Sequence, residues 1–415
     1  MKTITRKSSK RKKKTFFDKI DKTQYKSATP LCPHFGECGG CSLQDLKYEA
    51  QVQIKEEFLT DLFKETHGKK IEVESAPKQY QYRNRMDFVY SYGILGLRKK
   101  GDFKTVIDLE TCKLIPPQYE ELFIFVKKLL KEKEIPSFDI VKHEGFLKYV
   151  TFRYAPIQNE VMIFFSSTTP ETEELEKKFL EVIDTVSKKA QSVYWQINDS
   201  ETDTAIFPHK EKLLIGKPTI TEKLGNTIFD LSPWSFFQNN SLMSEIVFSD
   251  IKKEVYGDIV DVCCGVGTIG LFVADKTNSI TGIEEVNQAI ELANSNKEKN
   301  KVKNAFFFAD DMKNILNYTP LNVDVMIVDP PRAGLGKKTI KKVLEASPQK
   351  IIYMSCNPKT QKMDLDIISE MSNYKITSFK GYDMFPQTPH VETIVILEKN
   401  EEEKETKKQK WFLKK

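Results

Sequence analysis

Two periods of apolar and polar residues alternate along this chain, and the change between them divides it. Over residues 43–63 the apolar positions Leu46, Ala50, Ile54, Phe58 and Leu62 recur at helical spacing with charges between them. That predicts one long amphipathic helix, stopped near Gly68, where a glycine can serve as C-cap. Residues 80–92 and 93–98 alternate and are rich in aromatic and β-branched side chains, which predicts antiparallel strands. A helix is predicted over 119–134, strands over 146–154, 161–166 and 192–198, and a charged helix near 171–190. These make an α+β region, and a turn-rich stretch at 217–225 leads out of it.

From about residue 232 the pattern becomes βαβα, the signature of a parallel, doubly wound sheet. Ile259-Val-Asp-Val-Cys-Cys-Gly265-Val-Gly267-Thr-Ile-Gly270 reads as strand, glycine turn and helix. Ile280-Thr-Gly-Ile-Glu284 is a second strand ending in an acid. Further strands end at Asp310-Asp311, at Asp329-Pro-Pro-Arg332 and at Ser355-Cys356-Asn357-Pro358, and Pro386-Gln-Thr-Pro-His-Val-Glu392 lies on the last hairpin. Polar groups at successive strand ends form one crevice, the edge where open α/β sheets collect ligands. Pro358 fits a first helical turn, so Cys356 lies where a strand meets a helix N-terminus. That position predicts a lowered thiol pKa and a good nucleophile, whereas a small buried core residue is the plain alternative.

Composition adds less than charge. The apolar fraction is 40%, ordinary for a chain that folds in water. No run is long enough to span a bilayer and no apolar leader follows the basic N-terminus, so a cytoplasmic protein without membrane attachment is expected. The net charge of +5 conceals an asymmetry: residues 1–30 sum to +9 and the rest to −4. Such a tail is expected to be disordered and suited to polyphosphate, or merely to aid solubility. Arg83, Arg85 and Arg98, interleaved with tyrosines, could form a stacking and phosphate-binding face for single-stranded RNA, or simply the polar face of a sheet.

Seven cysteines, an odd number, argue against a disulfide scaffold. Cys32, Cys38 and Cys41 stand as C-x5-C-x2-C, and Cys112 supplies a fourth thiol. Four thiolates can complete a zinc site or an iron–sulfur cluster, and the residues alone leave the metal open. The glycines at 265, 267 and 270 with Glu284 likewise leave the ligand open, because both NAD and S-adenosylmethionine need a close backbone approach and a ribose-binding acid.

Together these pieces resemble the RNA uracil-5-methyltransferase family, which makes 5-methyluridine in ribosomal and transfer RNA. The matching segments are the four cysteines, Phe236-Phe-Gln238-Asn, Asp261-Val-Cys-Cys-Gly-Val-Gly267, Glu284, Asp329-Pro-Pro-Arg-Ala-Gly334, Ser355-Cys-Asn-Pro358 and His390-Val-Glu392, in the family's order over roughly residues 31–398. The resemblance implies a Rossmann-like class I methyltransferase domain at 231–399. An iron–sulfur region at 31–118 and a central α+β domain at 119–230 would precede it, with tails at 1–30 and 400–415. It implies a [4Fe–4S] cluster on Cys32, Cys38, Cys41 and Cys112. S-adenosylmethionine would lie against Gln238, Cys263, Gly265, Gly267, Thr268, Glu284, Asp311 and Asp329. Cys356 matches the nucleophile and Glu392 the base that removes the C5 proton. Cys263 and Thr268 depart from the residues commoner at their positions. Many relatives carry a small β-barrel before the cluster; the 31 residues before Cys32 are too few for one, and the basic tail is expected to substitute.

The expected activity is methyl transfer to C5 of a uridine, with large-subunit (23S) ribosomal RNA the favoured substrate and the thymine-loop uridine of transfer RNA the alternative. The expected cluster role is structural and the expected state a monomer. A nicotinamide-dependent iron–sulfur oxidoreductase would rest on the glycine triplet alone, and a non-catalytic RNA-binding protein on the tail and strand arginines. Amine methylation through Asp-Pro-Pro needs no thiol, which Cys356 argues against.

Overall fold

The segment Asp258–Val262 has apolar neighbours on both faces, as a central parallel strand requires. In the computed structural model, which describes residues 16–17, 19–200, 205, 211–319 and 323–400, it lies inside an eight-stranded sheet. The order across that sheet is Val73–Glu74, Tyr374–Tyr382, Glu392–Lys399, Lys350–Ser355, Val325–Val328, Asp258–Val262, Ser279–Glu284 and Ala305–Ala309. Only Glu392–Lys399 runs antiparallel to its neighbours. The strand order reverses between Asp258–Val262 and Val325–Val328, which opens a crevice at their carboxyl ends.

Alternation decides what covers each face. Ile259 joins a core with Val247, Phe248, Ile269 and Ile290, from the helices Ser241–Glu254, Thr268–Val273 and Asn287–Lys299. Val260 and Val262 join the opposite core with Ile340, Val343, Leu365 and Ile368, from Gly336–Ala346 and Pro358–Met371. The predicted first helix, observed at Tyr48–Leu62, covers this second face through Phe58 and Leu59. The chain therefore returns its N-terminal part to the far edge of a sheet built mainly from its last third.

A second sheet has seven strands, ordered Glu211–Gly216, Ser192–Ile197, Glu160–Ser167, Leu147–Ala155, Arg85–Ser91, Ile94–Lys99 and Asp102–Asp108. Its helices Pro117–Glu132 and Glu173–Ser187 bury Phe123, Phe179 and Val182 against Phe88, Phe152 and Trp195. Thr172 caps Glu173–Ser187 by accepting from Leu175 N at 3.1 Å, and three glutamates follow in its first turn. The predicted arginine face is not free. Arg83 Nε donates to Arg85 O at 3.0 Å, Arg85 pairs with Asp87 at 3.1 Å, and Arg98 donates to Tyr149 Oη at 3.0 Å. Strand arginines with a carboxylate or carbonyl in reach satisfy themselves locally.

Disorder was expected over 1–30. Residues 1–15 and 18 lie outside the described part, as do 401–415, but the tail's second half is in contact with the body. Phe16 and Phe17 pack at a tilt against Phe58, and Lys22 pairs with Asp45 at 2.6 Å. Two aromatic rings beside the lysines provide enough apolar surface to dock. Among the described residues no helix is long and apolar enough to cross a membrane.

Candidate active site

Register brings the expected nucleophile and base together. Ser355 pairs with Thr393 at the end of the antiparallel ladder, which leaves Cys356 and Glu392 each one residue beyond that pair, and Glu392 lies close enough for its charge to oppose ionisation of Cys356. The pair is pinned from below by Gln361, which is fully buried. Its Nε2 donates to Tyr353 O at 3.0 Å and its Oε1 accepts from Thr393 Oγ1 at 2.7 Å, while the same hydroxyl lies 3.2 Å from Ser355 O.

The Asp329-Pro-Pro-Arg332 turn is held against the same helix. Asn357 Nδ2 and Thr360 Oγ1 both donate to Arg332 O, at 2.9 and 3.1 Å. Asp364 accepts from Tyr353 Oη at 2.6 Å, Leu335 N at 2.7 Å and Gly336 N at 3.2 Å. Gly334 has a φ of +82°, and a Cβ there would stand 2.5 Å from Asp364 Oδ2, so the turn needs glycine.

Electrostatics then decide the protonation. Burial pushes Glu392 up to about 8, helped by Asp329 and opposed by Arg332. One of its oxygens, Oε2, is buried without a hydrogen-bond partner. Burial raises Asp329 to about 7. Cys356 is pushed up to about 11, first by burial, then by Glu392 and Asp329, against Arg332 and its own backbone N–H. The helix N-terminus therefore does not leave a low-pKa thiol, as its position alone predicts; two acids and burial outweigh it. His390, two residues before Glu392, is driven down to about 4 by burial, Arg332, Lys55 and Arg83.

The glycine turn lies at the neighbouring strand end. Gly265 N donates to Glu284 Oε2 at 3.2 Å, and Val286 N to its Oε1 at 3.1 Å. Gly267 has a φ of +77°, and a Cβ would come within 2.8 Å of Phe307. Cys263 adopts a φ of +64° without being glycine, and Thr268 opens the following helix. Asp261, which opens one of the matching segments but was given no role, accepts from Gly270 N at 3.0 Å and leaves Oδ1 buried and unpartnered. Burial raises it to about 7, and Asp329 and Glu284 add to the rise. Its signal in the sequence was an acid inside an apolar strand just before a glycine turn. Gln238 is buried on a loop held by Asn84, whose Nδ2 donates to Gln238 O at 2.9 Å and whose N donates to Asn239 O at 3.0 Å. Asp311 is engaged locally, accepting from Lys313 N at 2.8 Å and Nζ at 2.9 Å.

Asp261, Glu284 and Asp329 crowd negative charge into one crevice. A pyrophosphate-bearing dinucleotide would add to that charge, whereas a sulfonium would offset it.

Cys32, Cys38, Cys41 and Cys112 line one small cavity with Gly40, Leu97, Leu109 and Leu114. Burial raises Cys41 to about 12 and Cys112 to about 11, and the thiols further oppose one another's ionisation. Among the described residues no group of three or more His, Cys, Asp or Glu is arranged to hold a metal ion.

Comparison with known proteins bears on this geometry. Residues 181–400 match the family model described as tRNA (uracil-5-)-methyltransferase. A tRNA (uracil(54)-C(5))-methyltransferase of Pyrococcus furiosus is 34% identical over 364 residues, covering 88% of this chain and 84% of that protein. An uncharacterized RNA methyltransferase of Caldanaerobacter subterraneus is 34% identical over 399 residues, covering 92% and 87%. The crystal structure of the Pyrococcus abyssi tRNA (uracil-54, C5)-methyltransferase with S-adenosyl-L-homocysteine superposes with a TM-score of 0.74 at 31% identity, covering 86% of this chain and 85% of that one. The sheet order and crevice are thus those of a methyltransferase, and the chain belongs to the tRNA (uracil-5-)-methyltransferase family, S-adenosylmethionine-dependent enzymes that methylate uracil C5 in RNA.

Proposed function

We propose that this enzyme methylates the thymine-loop uridine of transfer RNA, with Cys356 as nucleophile and Glu392 as base. The observation that carries the chemistry is the placing of those two residues just beyond the last pair of one antiparallel ladder, close enough to interact, with a buried carboxyl oxygen left without a partner. What supports the substrate is that the Pyrococcus relatives spanning more than four-fifths of both chains are named for uracil 54 of tRNA. The preference for 23S ribosomal RNA drawn from the cysteines has no such support and gives way to this alternative.

Uracil C5 is a weak nucleophile. Cys356 first loses its thiol proton to solvent; the thiolate Sγ bonds to C6, and the C5=C6 pair moves onto O4 as an enolate, which makes C5 electron-rich. C5 then takes the sulfonium methyl as its carbon–sulfur bond breaks. Glu392 removes the C5 proton, the pair re-forms C5=C6, and Cys356 leaves as thiolate. General-base help of this kind is worth about 10²–10⁴-fold. Gly265, Gly267, Thr268, Cys263 and Glu284 are read as the cofactor's adenosine end, Asp329 and Gln238 as its sulfonium side, and Asp311 as a base contact. The base must leave its stack to enter the crevice.

The four cysteines are read as ligands of a [4Fe–4S] cluster. What supports the reading is that the four thiols line one cavity and that Cys41 and Cys112, raised first by burial, are raised further by neighbouring thiols, so a bound cation would offset that charge. Its supply is structural, joining the cysteine loop to Cys112; no step of the reaction runs through it.

The test uses 5-fluorouridine-substituted tRNA and ribosomal RNA, each with S-adenosylmethionine. Fluorine does not leave as a proton does, so Cys356 should stay bonded to C6 in a denaturation-resistant adduct. An adduct with tRNA that is lost in Cys356→Ala, with cofactor binding retained, is the expected result. Trapping by ribosomal RNA alone would overturn the substrate, and an active Cys356→Ala enzyme would overturn the mechanism.

A further inference from the structure

The hairpin Ile94–Lys99 and Asp102–Asp108 ends in Lys99, Lys100, Gly101, Asp102, Phe103 and Lys104, all exposed. Phe103 leaves 63% of its surface to solvent. Asp102, the acid at this tip, is occupied by Lys104 N at 3.0 Å and Thr105 Oγ1 at 2.7 Å. The result is a bare aromatic ring among three lysines.

The tip is also held still. Cys38 bridges to Lys99. Gly39 N donates to Arg98 O at 2.9 Å, and Lys100 N donates to Glu37 O at 2.7 Å. A Cβ on Gly39 would stand 3.0 Å from Arg98 O, so glycine is what lets the two segments close up. The Arg98 guanidinium, bonded to Phe103 O and Tyr149 Oη, stiffens the tip from inside. Just beyond Cys41, Ser42 N and Leu43 N donate to Gln387 O at 2.8 and 3.1 Å, five residues ahead of Glu392. One continuous set of backbone bonds thus joins the tip, the cysteine loop and the base-bearing loop.

We infer that this hairpin tip is an RNA contact, in which Phe103 stacks on an unpaired base other than the one that reacts and Lys99, Lys100 and Lys104 meet the flanking phosphates. It rests on the family's RNA substrate and holds whichever RNA is methylated. Unpaired bases stack on exposed aromatic rings, and phosphates supply charge complementary to three lysines. A single ring is too small to anchor a protein partner, whose interface would need several times its area. Because the tip is tied into the folded body, binding does not have to order a loose loop first. The arginines in the strands, occupied internally, leave this role to the tip.

The experiment measures RNA affinity over a range of salt for the full-length enzyme, with Phe103→Ala, Phe103→Trp and the triple variant Lys99→Ser, Lys100→Ser, Lys104→Ser. The RNA is the one that forms the fluorouridine adduct. Phe103→Ala should weaken binding about 5- to 100-fold while Phe103→Trp stays near the parent. The triple variant should flatten the slope of log K against log salt by about 2–3. S-adenosylmethionine affinity, melting temperature and kcat at saturating RNA should not move. Unchanged RNA affinity and salt slope in both variants would overturn the inference while leaving the adduct chemistry intact. Loss of adduct with affinity retained would instead strike the nucleophile assignment.

Discussion

Three carboxyl groups in the crevice stand near neutrality: Asp261 and Asp329 at about 7 and Glu392 at about 8. Each is raised first by burial, so each gains from a nearby cation. Below pH 6 they are protonated and offer a sulfonium little; above pH 8 they are largely ionised and attract it. S-adenosylmethionine should therefore bind about three- to tenfold tighter at pH 8 than at pH 6, measured by calorimetry. S-adenosylhomocysteine has the same ends but no charge on sulfur, and its affinity should change little. Equal pH dependence for both would show that these acids do not face the sulfonium. The motifs that carry Cys356 and Glu392 were legible because they are short and local. The raised thiol was not, because its first cause is burial in the fold and the acids that add to it lie 27 residues earlier and 36 later in the chain.

The helix Pro358–Met371 is the element on which the proposed reacting groups depend. Its start and first turns present Asn357, Thr360, Gln361 and Asp364, and all four hold something outside the helix. Of these four, Gln361 bonds to both strands, to Tyr353 O on one and Thr393 Oγ1 on the other. Gln361→Leu should lower kcat about tenfold with the KM for S-adenosylmethionine unchanged, because Glu392 loses its fixed position relative to Cys356. The distinguishing sign is a covalent band with ordinary uridine RNA on a denaturing gel, since addition would outrun proton removal. A lower kcat without that band would mean general loosening. The elements named from the sequence lie within a few residues of those observed, the first helix at Tyr48–Leu62 among them, but the strand Asp102–Asp108 was not anticipated and the stretch read as a turn-rich exit, 217–225, holds the strand Ile220–Leu224. A period reports which face is buried. It does not report which polar side chain on that face will bridge two strands, so Gln361 and Asp364 passed unremarked.

At the scale of the whole molecule, the first helix and the last hairpin are locked by polar groups buried between them. Lys55 and Asp383 form an ion pair at 2.5 Å with neither side chain exposed. Gln51 and Gln387 exchange two bonds, Nε2 to Oε1 at 2.9 Å and N to Oε1 at 3.0 Å, and Gln387 holds a φ of +69°. Lys55→Met would strand a buried carboxylate and should cost about 3–5 kcal/mol of stability in denaturant unfolding. The double change Lys55→Met with Asp383→Leu should recover most of that loss. If it does not, packing rather than charge holds this contact. Nothing in the sequence could announce these pairings, since more than 300 residues separate their members. The βαβ pattern was visible because each unit is local, and the join between the chain's ends was not.

The strand Val73–Glu74 pairs with Tyr374–Tyr382 at the sheet's edge. On a ribosome, this earliest strand emerges roughly 300 residues before its neighbour exists, a wait of about 15–60 s at ordinary elongation rates. During that time the apolar face of Tyr48–Leu62 and the lone Lys55 ammonium have no partner. The N-terminal segment is then a latecomer to its own sheet, and nascent chains of this protein should depend on chaperones in proportion to how slowly they are translated.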